Sequence, residues 1–179
     1  MRILKIVLYG LAGLAALLLV VALLSPGSYR VEKSIEINSP IESVFLQVAN
    51  YNHFRKWNPW SLSDPKAIYT VTGIPATAGH QYEWNGENVG IGKLTMTEVI
   101  PNKSVAAKLT FVEPHVSGAD DNWTFETTAS GGTKVVWVNS GNLSFPVERL
   151  FGLFLRGMLN KQFEEGLNNL KKISETGKL

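Results

Sequence analysis

Hydrophobic residues recur at intervals of three and four along the C-terminal stretch from Pro146 to Glu175. This spacing places them on one stripe of a helix, and most charged residues of the stretch fall off that stripe. Pro146 suits the first turn, whose N–H groups have no helical partner, and Gly177 suits the end. We expect the stripe to pack against strands in the middle of the chain. Its members are Val147, Leu150, Phe151, Phe154, Leu155, Met158, Leu159, Phe163, Leu167, Leu170 and Ile173.

The middle of the chain alternates between apolar and polar residues, which is the period of strands with one buried face. Ser39 and Pro40 mark the start of a short helix after the first strand, and Pro59 limits a second one. One face of the sheet is therefore expected to be apolar and the other wet. The predicted strands are Val31–Ile37, Ala67–Thr72, His80–Trp84, Ile91–Ile100, Val105–Phe111, Asn122–Thr128 and Thr133–Asn139.

The stretch from Ile3 to Leu24 contains one charged residue, Lys5, and is otherwise apolar or small. As a helix it would be about 33 Å long, which matches a hydrocarbon core of about 30 Å. The alternative is a cleaved signal peptide, whose apolar core is usually shorter, about 7–15 residues. We expect an uncleaved single-pass anchor. Arg2 and Lys5 favour a cytoplasmic N-terminus, which places the following domain on the extracytoplasmic, periplasmic side.

Composition narrows the function classes. The chain has 179 residues, a formal charge of +2 and no Cys, so disulfides, thiol nucleophiles and thiolate metal sites are excluded. Removing Arg2 and Lys5 leaves basic and acidic residues in equal number, 15 of each. Because nucleic-acid binding depends on neutralising phosphates, a neutral domain argues against a nucleic-acid partner.

Several short motifs occur in a fixed order along these elements. They are Ile41-Glu42-Ser43-Val44-Phe45, Trp57-Asn58-Pro59-Trp60, Trp84-Asn85-Gly86, Gly90-Ile91-Gly92, Gly132-Thr133-Lys134-Val135 and Phe163-Glu164-Glu165-Gly166-Leu167.

Together with the order of the elements, these motifs resemble the SRPBCC superfamily (START/Bet v 1-like, polyketide cyclase/dehydratase-like). The resemblance implies an α+β helix-grip fold. In that fold a curved antiparallel sheet of about seven strands wraps a long C-terminal helix, with two short helices after the first strand. The resemblance also implies a cavity for an apolar ligand. The predicted division is a transmembrane anchor at 1–24, a linker at 25–28 and the START/polyketide-cyclase-like domain at 29–179; the anchor departs from most of the superfamily.

Large aromatic and Met side chains are predicted on both surfaces that face this cavity. Aromatic residues at strand or helix spacing are usually ordinary core, but five Trp in one modest domain favour a binding pocket. The predicted lining is Trp57, Trp60, Tyr82, Trp84, Leu94, Met96, Leu109, Phe111, Trp123, Phe125, Trp137, Phe151, Phe154, Leu155 and Met158. Polar groups that could orient a ligand are Gln81, Glu98, Asn139 and Arg149.

Catalytic signals are weaker. His53, His80 and His115 lie in separate predicted loops without metal-site spacing, and we interpret them as solvated. The pair Asp120-Asp121 is interpreted as a turn before a strand. No carboxylate or His is therefore predicted to point into the cavity, and no cofactor, catalytic residue or metal site is predicted.

The sequence favours binding over catalysis and leaves three functions open. The first is a membrane-tethered binding or transfer domain, expected to be monomeric, for an apolar small molecule such as a lipid, a quinone or a polyketide-like compound. The second is a cyclase or dehydratase that uses the same cavity, which requires an ionisable group inside it. The third is a protein- or bilayer-interaction module, with exposed Trp57 and Trp60 as the contact.

Overall fold

Seven strands and one long C-terminal helix account for most of the chain after its N-terminal helix. The computed structural model describes residues 2–113 and 115–179. In chain order the elements are α1 (Arg2–Leu24), β1 (Ser28–Ile37), α2 (Ile41–Ala49), α3 (Tyr51–Phe54), α4 (Pro59–Ser63), β2 (Ile68–Thr72), β3 (Gln81–Gly86), β4 (Gly90–Ile100), β5 (Ser104–Glu113), β6 (Ser117–Thr127), β7 (Thr133–Asn142) and α5 (Val147–Thr176).

The strands form a single antiparallel sheet in the order β1-β7-β6-β5-β4-β3-β2. From β2 to β7 each strand pairs with the next one along the chain. Strand β1 pairs with β7 over its whole length and forms one edge of the sheet. Along β6 and β7 every second side chain is buried on the face that carries α5. The predicted seven-stranded sheet, long C-terminal helix and short helices after the first strand are confirmed.

Helix α5 packs along β1 and contacts α2, α4 and the end of α1. Its second half holds the buried residues Phe163, Gly166, Leu167 and Leu170. Gly166 permits a close approach to the core, because a Cβ there would lie 3.0 Å from Cζ3 of Trp137. Helix α5 is continuous from Val147 to Thr176, and its glycines do not interrupt it.

Stacked aromatic rings fill the centre of the space between the sheet and α5. Trp123 stacks on Trp137 with ring centroids 4.1 Å apart, and Trp137 stacks on Phe163 at 3.7 Å. Trp57 meets Trp123 edge-on at 6.0 Å, and Trp60 meets Trp137 in the same way at 6.0 Å. The deepest part of the fold is a close-packed aromatic core.

The structure corrects two sequence expectations about the elements. Strand β6 begins at Ser117, so Asp120 and Asp121 lie within a strand rather than in a turn before it. The apolar stripe of α5 is buried only in its second half, since Phe154 is 74% exposed. Helical periodicity identifies an apolar stripe, but it does not identify how far the sheet reaches underneath it.

Helix α1 is the one helix of the described residues that is long and apolar enough to span a membrane. Its last turn packs onto the domain, where Ala22 is fully buried. Residues 25–27 connect it to β1. The proposed division between anchor, linker and domain stays a prediction.

Candidate functional site

Half-buried rings on strands β3 to β5 and exposed apolar side chains on the first half of α5 lie at the same end of the sheet, and we call the space between them the groove. The rings form its floor. Trp84 lies directly over Gly92, where a Cβ would come within 2.4 Å of Cζ2 of the indole. Phe111 meets Trp84 edge-on at 5.6 Å, and Leu109 is half-buried on the same face. The indole N–H of Trp84 donates to the carbonyl of Val89 at 3.1 Å, which fixes the ring. The floor is therefore apolar, ordered and accessible.

The wall of the groove is the side of α5 that carries Phe151 and Met158. Phe151 precedes Asn169 by five full turns of about 3.6 residues, so the two side chains share one face of the helix. The amide of Asn169 donates to the carbonyl of Trp57 at 3.1 Å, and Trp57 contacts Trp123 of β6. Lys171, on the other side of the helix, donates to the carbonyl of Glu36 in β1, so the face with Phe151 is turned away from β1 and towards the middle of the sheet. Phe151 is 53% exposed and Met158 is 49% exposed. These two side chains face the groove and lack a covering layer.

A buried carboxylate lies beside the groove, on the inner face of β6. Asp121 is 4% exposed and accepts three hydrogen bonds. The indole N–H of Trp123 donates to Oδ2 at 3.0 Å, and the indole N–H of Trp137 donates to Oδ1 at 2.8 Å. The amide of Asn139 donates to Oδ1 at 3.1 Å. Because every partner is a donor, the arrangement fits an ionised carboxylate, which only accepts.

Burial and hydrogen bonding act on the Asp121 carboxyl in opposite directions. Burial raises its pKa above the usual value because the charged form loses its hydration. The hydrogen bonds from Trp137, Asn139 and Trp123 lower the pKa but do not offset burial. No ion pair among the described residues includes Asp121. The charge is therefore held by dipoles alone.

Tyr29 extends the polar network to the start of β1. Its hydroxyl donates to Oδ1 of Asn139 at 2.7 Å, while the amide of Asn139 donates to Asp121. Burial, followed by the charges of Asp121 and Asp120, raises the pKa of Tyr29 to about 12. Tyr29 is thus a permanent donor, and it orients the Asn139 amide towards the carboxylate.

The residues predicted to line a cavity fall into three groups, and their role in ligand binding stays a prediction. Buried in the core are Trp57, Tyr82, Leu94, Met96, Trp123, Phe125 and Trp137; half-buried are Trp60, Trp84, Leu109, Phe111 and Leu155; exposed are Phe151, Phe154 and Met158. The expectation that Trp57 is exposed is wrong, because its ring is 0% exposed and its N–H donates to the Gln47 carbonyl.

Of the predicted polar groups, only Asn139 belongs to the buried network. Gln81 donates to Thr95 Oγ1 on the outer face of the sheet, and Glu98 is exposed beside a bulge in β4. Arg149 lies against Gly27 at the junction with α1.

The prediction that no carboxylate points inward is wrong, since Asp121 does. The alternation of side chains along the strand would have predicted the inward position of Asp121. With Trp123 facing inward, the residue two positions earlier must face the same side.

His80 is buried rather than solvated, which corrects another expectation. The backbone N–H of Tyr51 donates to its Nε2 at 3.0 Å, and its Nδ1 lies 2.8 Å from the carbonyl of Thr72. A carbonyl only accepts, so the ring is neutral with its proton on Nδ1. Both nitrogens are used within the fold. The described residues contain no cluster of three or more His, Cys, Asp or Glu suited to a metal ion.

A surface cleft of about 480 Å³ lies at the opposite edge of the sheet from α5, around Asp64, Ala67 and Gly86. The Asp64 carboxylate there accepts the backbone N–H of Asn88 at 2.9 Å, so it fastens the β3–β4 turn. The cleft is half polar and open, and we place the candidate site in the groove beside α5 instead.

Comparisons with known proteins agree with this architecture. A sequence profile described as polyketide cyclase / dehydrase and lipid transport matches residues 28–175. No curated protein sequence matches the chain.

Solved structures of similar fold share little sequence identity with the chain. The Aha1 dimer from Colwellia psychrerythraea has a TM-score of 0.63 at 20% identity, covering 84% of this chain and 99% of that one. Protein MLL2253 from Mesorhizobium loti has a TM-score of 0.63 at 15% identity, covering 84% and 100%. DynU16, from the dynemicin biosynthetic locus, has a TM-score of 0.60 at 16% identity, covering 83% of this chain and 48% of its own. At these identities the likeness establishes the fold and no more.

Proposed function

The chain belongs to the polyketide cyclase/dehydrase and lipid transport family, and on that premise we propose that it binds or transfers an apolar small molecule while tethered to a membrane by α1. The ligand class is a lipid, a quinone or a polyketide-like compound. The observation that carries the proposal is the accessible apolar groove between the first half of α5 and strands β3 to β5. In this proposal the domain lies on the extracytoplasmic side.

The groove offers apolar surface that the fold itself does not bury. Full burial of a Phe or Met side chain contributes about 1.5–3 kcal/mol. Phe151 and Met158 are each about half exposed, so roughly 1 kcal/mol at each remains for a ligand to gain. The half-buried rings of Trp84 and Phe111 add to this on the facing side. The stacked core occupies the deeper space, so we place the ligand at the groove.

Photo-crosslinking tests the proposal. The full chain, in bilayers or mild detergent, is irradiated with a diazirine-labelled fatty acid, and the labelled peptides are mapped by mass spectrometry. We expect labelling on β3 to β5 in addition to α1. Leu109→Trp should fill the groove and reduce that labelling several-fold.

Lys93→Trp is the matched control, because Lys93 is exposed and pairs with Thr110, which places it next to the Leu94–Leu109 pair on the opposite face of the sheet. It should leave the labelling of the groove unchanged. Labelling confined to α1 and the exposed part of α5 would overturn the proposal. Equal labelling of the Leu109→Trp variant would do the same.

A second function, acid–base chemistry on the bound ligand, is favoured by one observation: a carboxylate of raised pKa lies beside the groove. A general base must come within hydrogen-bond reach of the proton it removes, about 2.6–3.2 Å. Both oxygens of Asp121 already accept hydrogen bonds within the core, which favours binding.

Incubation with a lipid extract of the native host separates the two functions. A new product that forms with the native protein, but not with an Asp121→Asn variant that retains photolabelling, would establish catalysis. An unchanged extract supports binding alone.

A further inference from the structure

The first half of α5 is apolar on nearly every side, unlike the second half. Between Val147 and Met158 the only charged residues are Glu148, Arg149 and Arg156. Val147 is 72% exposed, and Leu153 and Phe154 are also largely exposed. Single exposed apolar side chains are ordinary, but a contiguous set on one helix marks an interaction surface. This segment is about 16 Å long at 1.5 Å per residue.

The same segment is held close to the end of α1. Helix α1 packs on α5, and Ala22 in its last turn is fully buried. Arg156 donates to the carbonyl of Ser28 at 3.3 Å, and the Arg149 guanidinium lies against Gly27. The chain between Leu24 and Ser28 can span at most about 14 Å. The apolar segment of α5 cannot move far from the end of α1.

We propose that residues 147–158 lie in the surface of the bilayer that α1 spans, so that the groove takes its ligand from the membrane. This proposal rests on the proposed function in that α1 is the anchor. The apolar side chains enter the boundary between headgroups and acyl chains, as those of interfacial helices do. Arg149 and Arg156 lie at the level of the lipid phosphates.

Continuity with α1 favours a bilayer over a protein partner. A membrane surface is present wherever α1 is inserted, and it lies where the exposed side chains are. Phe151 belongs both to this segment and to the wall of the groove. The groove therefore opens onto the surface from which a lipid would leave.

The chain contains no Cys, so a single introduced Cys is the only thiol that a spin label can modify. Phe154→Cys and Lys172→Cys each receive a nitroxide, in full-length protein reconstituted in vesicles of phosphatidylcholine and phosphatidylglycerol. Lys172 is the matched control because it is exposed on the same face of α5, five turns or about 27 Å further along. Collision of the nitroxide with oxygen and with a water-soluble nickel chelate is measured by electron paramagnetic resonance.

We expect the label at position 154 to collide mainly with oxygen and the label at 172 mainly with the nickel chelate. Equal access of the nickel chelate to both labels would overturn the docking proposal. A chain that does not float with the vesicles would overturn the docking and the anchor together.

The outcome of the photolabelling experiment is independent of the outcome of this one, so the ligand site and the docking can be refuted separately. An immersed label at 154 without labelling of β3 to β5 would leave the docking standing and refute the ligand site. Labelling of those strands with a water-exposed residue 154 would do the reverse. Phe154→Asp should slow the labelling of the groove from vesicles several-fold and leave labelling in detergent unchanged.

Discussion

Replacing Trp123 with Phe tests whether the Asp121 carboxylate is ionised in the folded protein. Phe retains a ring that stacks on Trp137, whose centroid lies 4.1 Å away. It removes the indole N–H that donates to Oδ2 of Asp121 at 3.0 Å. Because Asp121 is 4% exposed, water does not replace that donor freely. The change therefore isolates one hydrogen bond to one buried oxygen.

The magnitude follows from the charge of the acceptor. A hydrogen bond to a charged group contributes about 1.5–3 kcal/mol, and one to a neutral group about 0.5–1.5 kcal/mol. Trp123→Phe should lower the free energy of unfolding by the larger amount at neutral pH. Trp57→Phe is the control, since Trp57 is equally buried but donates to the neutral carbonyl of Gln47 at 3.0 Å. It should lower the free energy of unfolding by the smaller amount.

The stability deficit of Trp123→Phe should depend on pH, and the pKa of Asp121 determines the direction of the change. Burial already holds the pKa of Asp121 above its usual value, and loss of a donor raises it further. The folded variant therefore binds the proton more tightly than the folded native protein. Its deficit is fully present above the pKa of the folded variant and shrinks as pH falls towards the usual value of 3.8. The deficit of Trp57→Phe should stay constant.

Urea denaturation of the full-length protein in mild detergent, at neutral pH and at about pH 4, measures these differences. A double-mutant cycle with Asp121→Asn completes the design, because Trp123→Phe should lower the free energy of unfolding by less once the charge is gone. A deficit that is equal at both pH values and in both backgrounds would refute an ionised Asp121.

Two further predictions concern α5. Gly166→Ala should lower the free energy of unfolding by about 1–3 kcal/mol, because its Cβ would press on Trp137, which is held between stacked rings. Gly157→Ala meets nothing within 4 Å and should raise it by about 1 kcal/mol; denaturation midpoints compare the two. The backbone N–H of Ser144 holds the pKa of Glu148 below its usual value, so Glu148 adds stability at neutral pH that is lost as pH falls through its folded pKa. Glu148→Gln should thus be less stable at neutral pH, with a difference that closes in acid; a thermal melting series across pH that shows a constant difference would contradict this.

Local chemistry made the fold readable from the sequence. Alternation along each strand and the turn residues between strands predicted seven strands. The three-and-four spacing after Pro146 predicted α5, which begins at Val147. These patterns arise within a few residues of chain, so the sequence contains them completely.

The candidate site depends on tertiary placement, which the local pattern does not contain. The pair Asp120-Asp121 has turn-like composition, yet its second member lies among Trp123, Trp137 and Asn139, which come from two strands. The apolar stripe of α5 was visible, but its first half extends past the packed core to the end of α1. Exposure of that half depends on what lies opposite, and no periodicity reports it.

The aromatic core and the position of the groove follow from a single requirement. Trp123 and Trp137 each carry an N–H that needs an acceptor once the ring is buried. Asp121 accepts from both, and this fixes the two indoles in a stack that Phe163 of α5 completes. The stack closes the middle of the grip against a ligand. The apolar surface that remains accessible therefore lies beyond the stack, along the half of α5 that adjoins α1, where a ligand from the membrane would arrive first.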